Sequence, residues 1–355
     1  MKTTKNSAFS VEPFRGDFEE LERMAHSSWR EEYGEESFPN FYNPAFLRFH
    51  YDRIEDKRHF MAVYRGDELA AFLGNIPQRF LFQGKERRSV YTCLMVTRRE
   101  FLRQGVASLL VEESLKLNQE KNYDFALFTL EKGHGSTKFI QKLEAAGHPV
   151  QWIRKFHVTA HVLDLDRAAH SEGLKWWEKG AVRLYGGHRL PRDKGLALRA
   201  YRPEDLEGCH ALMDEYRQTV DLCLLWDQKS LGQELDLPGI SHTFVYEKDG
   251  RIAAMANFII HEHLGKTHEK WAWINHMAIH RLSAGDKRAF VRGFLHAVHA
   301  MGLIGAVEWI RGYYSLKPLF QTRFFPYFRH VNLVSWTFNP DLDLTGTNKV
   351  YQIQI

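Results

Sequence analysis

The spacing of apolar and polar positions divides the chain into strands and helices. Residues 9–14 read as a first strand. Asp17 suits a helix N-cap, and Phe18, Leu21, Met24 and Ala25 then recur on one face to about residue 33. Residues 33–51 are dense in aromatics and broken by Pro39 and Pro44. Residues 59–64, the turn Arg65-Gly66-Asp67 and residues 68–75 predict a hairpin. A second turn at Gly84-Lys85 leads into a β-branched, apolar strand over 89–97. The next run places Val106, Leu109, Leu110, Leu115 and Leu117 at helical spacing. Residues 123–130 read as a buried strand, 136–146 as a helix ending at Gly147, and 150–157 and 158–165 as two more strands.

The pattern then returns. His59-Phe60-Met61-Ala62-Val63-Tyr64 is echoed by His242-Thr243-Phe244-Val245-Tyr246, and Glu68-Leu69-Ala70-Ala71-Phe72 by Arg251-Ile252-Ala253-Ala254-Met255. The offset stays near 183 residues, which points to an internal duplication. Residues 166–196 are charged, glycine-bearing and less regular, and mark a boundary. The expected division is 1–165, a linker over 166–196, and 197–355.

With 355 residues, 44% apolar and 26% charged, the chain is ordinary for a folded protein and comfortable for two domains. A net charge of +4 suits an anionic ligand and is too small to argue for nucleic acid. Cys93, Cys209 and Cys223 share no metal or disulfide spacing, which favours a reducing compartment. The first residues lack the apolar core of a signal peptide, and no apolar run has the length of a span. A cytoplasmic location with no membrane partner is expected.

Chemistry concentrates where the strand over 89–97 meets the following helix. Arg98-Arg99-Glu100 is followed by Leu102-Arg103-Gln104-Gly105-Val106-Ala107. A strand feeding a glycine-bearing turn at a helix N-terminus converges free N–H groups and the positive end of the helix dipole, a device for phosphate. Gly105 lets a ligand approach the backbone, and Ala107 keeps the next position small.

This composite resembles the acetyl-CoA-binding core of the GNAT superfamily of N-acetyltransferases, whose turn is written Q/R-x-x-G-x-G/A. Here G-x-A is Gly105-Val106-Ala107, while the first position falls on Leu102, with Arg103 and Gln104 adjacent. The resemblance implies an α/β fold in which a mixed sheet is flanked by helices, twice in tandem. It implies acetyl-CoA as acyl donor, an amine acceptor and no metal. Amides near Met95, Val96 and Thr97 would polarise the thioester. Those of Arg103, Gln104, Gly105, Val106, Ala107 and Ser108 would hold the diphosphate, with Arg98, Arg99 and Arg103 for the remaining charge.

Many relatives carry a Glu on the strand before the turn, and this strand has none. Glu131 and His134 are the best substitutes as proton acceptor. Where relatives place a proton-donating Tyr, this chain has Leu143. Phe38, Phe41, Tyr42, Phe46 and Phe49 fall where the family's acceptor-binding helices lie, and Trp29 and Tyr33 precede them. His261, Glu262, His263 and His268, and the pair His296 and His299, lack a supporting ligand set for a metal.

The second copy offers Ser283-Ala284-Gly285-Asp286-Lys287-Arg288 at the turn, with Asp286 placed to repel a phosphate and to cap a helix. Only the first copy is therefore expected to bind the cofactor. Two alternatives stand beside N-acetyl transfer. Tandem members include N-myristoyltransferases, where the chain's terminal carboxylate takes part, and residues 350–355 are apolar enough to keep long-chain transfer open. The other is a CoA-binding sensor without turnover. Oligomeric state stays open.

Overall fold

The computed structural model describes residues 8–131 and 133–351, apart from the side chain of Phe328. The first run of elements is β1 (Ser10–Pro13), α1 (Phe18–Tyr33), β2 (Phe38–Pro39), α2 (Pro44–Arg53), β3 (Phe60–Arg65), β4 (Glu68–Phe82), β5 (Lys85–Thr97), α3 (Val106–Glu120), β6 (Phe125–Glu131), α4 (Gly135–Ala145) and β7 (Val150–Val162). Two helices follow, α5 (Leu165–Ser171) and α6 (Trp176–Tyr185). Next come β8 (Arg199–Ala200), α7 (Leu206–Arg217), β9 (Leu222–Leu224), α8 (Gln228–Leu235), β10 (Ser241–Lys248), β11 (Arg251–Leu264) and β12 (His268–Ala278). The second run ends with α9 (Ala284–Ala300), β13 (Gly305–Trp309), α10 (Lys317–Gln321) and β14 (Phe325–Thr337), and β15 (Val350–Tyr351) closes the described chain. Element for element, β8 to β14 with α7 to α10 repeats β1 to β7 with α1 to α4.

Local sequence explains the element ends. The Asp17 carboxylate accepts from the Glu20 amide at 2.8 Å and starts α1, whose Phe18, Leu21, Met24 and Ala25 are buried. Asn43 accepts from the Ala45 amide at 2.9 Å, and Pro44 opens α2 inside the aromatic stretch. Gln83 and Gly84, both at positive φ, turn β4 back into β5.

The strands join one mixed sheet in the order β1-β3-β4-β5-β6-β14-β7-β13-β12-β11-β10-β8. The two runs exchange pieces across it. β14 lies between β6 and β7, and β7 continues on to pair with β13. In the same way β9 pairs with β4, and β2 pairs with β11. Each run thus completes backbone hydrogen bonding in the other.

Two expectations are corrected. One continuous strand, Val150–Val162, replaces the two expected over 150–165, because β13 and β14 flank it along its length. The segment expected to be irregular over 166–196 contains α5, capped by Asp164, and α6. At the C-terminus, Val350 and Tyr351 pair with β9, and residues 352–355, including the terminal carboxylate, lie outside the described residues.

Candidate active site

β5 and β6 run parallel, yet they pair only at Ser89↔Phe125, Val90↔Ala126 and Tyr91↔Leu127. Beyond that point β5 continues to Thr97 and β6 to Glu131, so the strands splay and open a gap. A bulge sharpens the opening: Leu94 sits at φ 58, where the register against β4 shifts between Phe72 and Gly74. The Arg98 amide donates to Ala70 at 2.8 Å. Strand alternation then turns the Val96 amide toward β4 and those of Met95 and Thr97 toward the opened side. Val96, expected among the donors, is instead part of the β4 ladder with a buried side chain.

The turn into α3 is open. Phe101 and Leu102 bond back to Arg98 and Arg99, Arg103 takes φ 64 and Gly105 φ 82, and the helix begins at Val106 without a side-chain cap. Among the described residues, no group accepts from the amides of Arg103, Gly105, Val106, Ala107 or Ser108. Gln104 is the exception, because its amide donates to Phe101 at 3.3 Å. A Cβ at Gly105 would meet nothing within 4 Å, so the backbone angle, not space, calls for glycine. Of the three arginines, Arg98 is held by the Leu69 carbonyl at 2.8 Å and by Glu20 at 2.7 Å, and Arg99 pairs with Glu31. Arg103 is exposed, and no partner among the described residues engages its side chain.

Behind the gap lies a cavity of about 600 Å³. One wall comes from the first run, through residues 92–95 of β5, Val111 and Leu115 of α3 and Phe128 of β6. The other comes from Trp271, Trp273 and Trp309 of the second run and from α6. Most of the surface is apolar, but Asn118 of α3, 1% exposed, faces it with both amide groups unpartnered among the described residues. Trp29, Phe41 and Phe46 reach the cavity, whereas Phe38 and Tyr42 are buried and Phe49 packs under the Arg53 guanidinium. Burial pushes the Cys93 thiol well above its ordinary range, so it stays protonated and is a poor nucleophile.

Glu131 and His134 are brought together on the cavity rim. The Tyr33 hydroxyl donates to Glu131 Oε2 at 2.6 Å, and His134 Nε2 lies 3.5 Å from the same oxygen. Burial, reinforced by the Glu131 charge, raises the Tyr33 hydroxyl far above its usual value and keeps it a donor.

A second acid–imidazole pair was not expected from sequence. Glu172, the C-cap of α5, lies 2.8 Å from His263 Nδ1, while Ser37 donates to its other oxygen. Trp273 donates its indole N–H to His263 Nε2 at 3.1 Å. An indole cannot accept, so Nε2 accepts and Nδ1 carries the proton that faces Glu172. Burial alone would raise the Glu172 carboxyl, but His263 and Ser37 outweigh it and hold the group below the usual range. No local motif announces this pair, because its members are 91 residues apart.

The repeat reproduces the gap and fills it. β12 and β13 pair only at Ala272↔Ala306 and Trp273↔Val307. The buried Arg311 guanidinium sits beside the opening, donating to the carbonyls of Ile274 at 3.2 Å and Asn275 at 2.9 Å and to Glu308 at 3.0 Å. The Tyr313 hydroxyl takes the Met277 amide at 3.0 Å, and Tyr314 donates to Glu308 at 3.1 Å. The helix terminus is closed as well. Ser283, not Asp286, is the N-cap of α9: its hydroxyl accepts from the Asp286 amide at 3.2 Å and donates to that carboxylate at 2.9 Å.

The model of the acetyltransferase (GNAT) family matches residues 18–144. That stretch is a GNAT domain. Over the whole length the chain is similar in fold to N-myristoyltransferase from Saccharomyces cerevisiae, solved with bound myristoyl-CoA. The TM-score is 0.76 at 14% identity, covering 98% of this chain and 90% of that one. It also resembles GCN5-related N-acetyltransferases from Anabaena variabilis (TM-score 0.55, 12% identity, 92% and 72% covered) and Kribbella flavida (TM-score 0.52, 12% identity, 93% and 72% covered). No curated protein sequence matches the chain. At these identities the structural likeness is one of fold, a mixed sheet flanked by helices as in tandem GNAT proteins. The family matched over residues 18–144 is one of acetyltransferases, and the likeness over the whole chain is one of fold.

Proposed function

We propose that the protein transfers a long apolar acyl group from its CoA thioester to an amine by direct attack. The observation that carries this reading is the unfilled β5/β6 gap, which joins an uncapped α3 terminus to an apolar cavity of about 600 Å³. In this reading the diphosphate rests on the amides of Arg103, Gly105, Val106, Ala107 and Ser108, with the Arg103 guanidinium beside it. The N–H groups of Met95 and Thr97 stabilise the thioester oxygen as it becomes negative. The amine nitrogen forms a C–N bond to the carbonyl carbon, the C–S bond breaks, and CoA leaves as a thiolate. Glu131, oriented by Tyr33 and next to His134, takes the proton released by the amine. Leu143 has no proton to give, so the thiolate is protonated from solvent.

Residues 1–165 act as the donor-binding domain, 197–355 as a degenerate copy that walls the acceptor side, and 166–196 as the connection. A cytoplasmic location belongs to the same reading.

Acetyl transfer is the second reading, favoured by the acetyltransferase family matched over residues 18–144. Thiol release from acetyl-, octanoyl- and myristoyl-CoA with a panel of amines and peptide N-termini separates the two. Each buried methylene is worth about 0.8 kcal/mol, so kcat/KM should climb roughly fourfold per methylene until the cavity is full. A best rate with acetyl-CoA would leave acetyl transfer standing. CoA binding without release on any acceptor would leave a sensor. Gly105→Glu should abolish CoA binding in every case, and undiminished binding would remove the cofactor site.

A further inference from the structure

Helix α6 does more than wall the cavity: we propose that its outer face is a docking surface for anionic lipid bilayers, set at the cavity mouth. Folded proteins bury their large apolar side chains or scatter the exposed ones singly. Here Trp176 is 87% exposed and Leu184 91%, with Trp177 and Tyr185 about half exposed, all on one ten-residue helix. At about 100° per residue, Trp176, Gly180 and Leu184 form one outward row, and Trp177 lies almost directly in line with Leu184. Val182, on the opposite side, is the buried anchor. Lys179 and Arg183 flank the row along one edge.

The charge of the chain segment that carries this face points to the partner. Between Lys175 and Lys194 the chain has six lysines and arginines against two acids, Glu178 and Asp193. Lys179 and Arg183 share Asp166, at 2.7 and 3.3 Å. The side chains of Lys175, Arg189, Arg192 and Lys194 have no carboxylate partner among the described residues. Tryptophan and tyrosine favour the headgroup region of a bilayer, and lysine and arginine are drawn to its phosphates. A second copy of the chain fits less well, because a two-fold contact would bring the same cations face to face. One ten-residue helix is also only about 15 Å long, small for a stable protein interface.

The position of the face gives it a use. Trp177, Ala181 and Tyr185 also line the cavity, so the exposed apolar surface runs over the rim into the interior. Docking through α6 sets that mouth against the layer where long acyl chains and apolar amines partition. No described helix is long and apolar enough to cross a membrane, so the contact is peripheral. It revises the sequence expectation of no membrane partner, and it does not depend on which acyl group is transferred.

The test is flotation of the full chain with vesicles of phosphatidylcholine alone and of phosphatidylcholine mixed with phosphatidylglycerol. Binding is expected to the mixed vesicles, weakened by added salt, with a blue shift of tryptophan emission. A Trp176→Ser, Leu184→Ser double variant should bind on the order of tenfold more weakly with an unchanged unfolding midpoint, since neither side chain is buried. Failure of the parent chain to float with anionic vesicles would overturn the proposal, as would equal flotation by the double variant. A concentration-dependent dimer abolished by the same substitutions would assign the face to a second copy instead. CoA binding by calorimetry, measured alongside, tells failure of docking from failure of the cofactor site.

Discussion

The β5/β6 gap and its repeat between β12 and β13 share a plan and differ in what occupies them. In both, a parallel pair stops early and a helix N-terminus follows. Splayed strands leave backbone groups that need partners. In the second run those partners are built in: Arg311 takes two carbonyls of β12, Tyr313 takes the Met277 amide, and Ser283 with Asp286 closes α9. In the first run Gly105 leads into α3 with no cap, and the gap opens on a cavity. The difference teaches that the fold supplies a place, and that a handful of side chains decides whether a ligand or the protein itself fills it.

The sharpest way to break the comparison is to pull the plug. Arg311→Met leaves Glu308 buried without its cation, and burial already drives that carboxyl up to about 7. Removing one partner of such a pair should cost about 3–5 kcal/mol in urea unfolding. The double variant with Glu308→Leu should recover much of that loss. A single-variant loss below about 1 kcal/mol would mean that Arg311 is not what holds this gap shut.

Next in size is the open side. Arg103→Ala should weaken CoA binding by about 1.5–3 kcal/mol, the range for hydrogen bonds to charged groups, as read by calorimetry. Arg281→Ala, at the same distance before the helix cap in the repeat, should leave it unchanged. Equal effects would mean that the two turns are not functionally distinct.

The pH response separates the halves in sign. Burial, with Arg311 adjacent, pushes His276 well below its ordinary value, so only the unfolded chain takes a proton there below about pH 6.5. Its stability contribution is present above that pH and lost toward acid, by about 1.4 kcal/mol per pH unit. Cys93 occupies the same position in the first run, and burial pushes its thiol up. Only the unfolded chain ionises it above about pH 8.5, so its contribution is lost toward alkali. His276→Asn should flatten the acid limb and Cys93→Ser the alkaline one. If either substitution changes the opposite limb, the burial argument fails for that residue.

Much of this contrast was legible in the sequence. The duplication shows in paired apolar runs, and Gly105-Val106-Ala107 marks the turn, because both are local patterns. The strand exchange was not legible. β14 meets β6 across about 200 residues, and periodicity carries no information about which strand pairs with which. Glu172 is not legible because its segment reads as a linker, nor is α6, because exposed Trp176 and Leu184 blur the two-faced pattern of a packed helix. The use of the Gln104 amide inside the turn depends on Arg103 taking a left-handed backbone, which an arginine does not advertise.

The smallest effect is the one the sequence could have given in full. Ser283 stands three residues before Asp286, the spacing of a reciprocal cap, and the hydroxyl rather than the carboxylate receives the helix amide. Ser283→Ala should therefore cost about 1 kcal/mol of stability. Asp286→Asn should cost less, since the cap itself remains. At the matching point of the first run, Gly105→Ser would add a hydroxyl at φ 82, where a side chain is strained. It should lower stability and CoA affinity together, because a cap there competes with the phosphate for the same amides. Tighter CoA binding by that variant would show that the open terminus of α3 is not where the diphosphate rests.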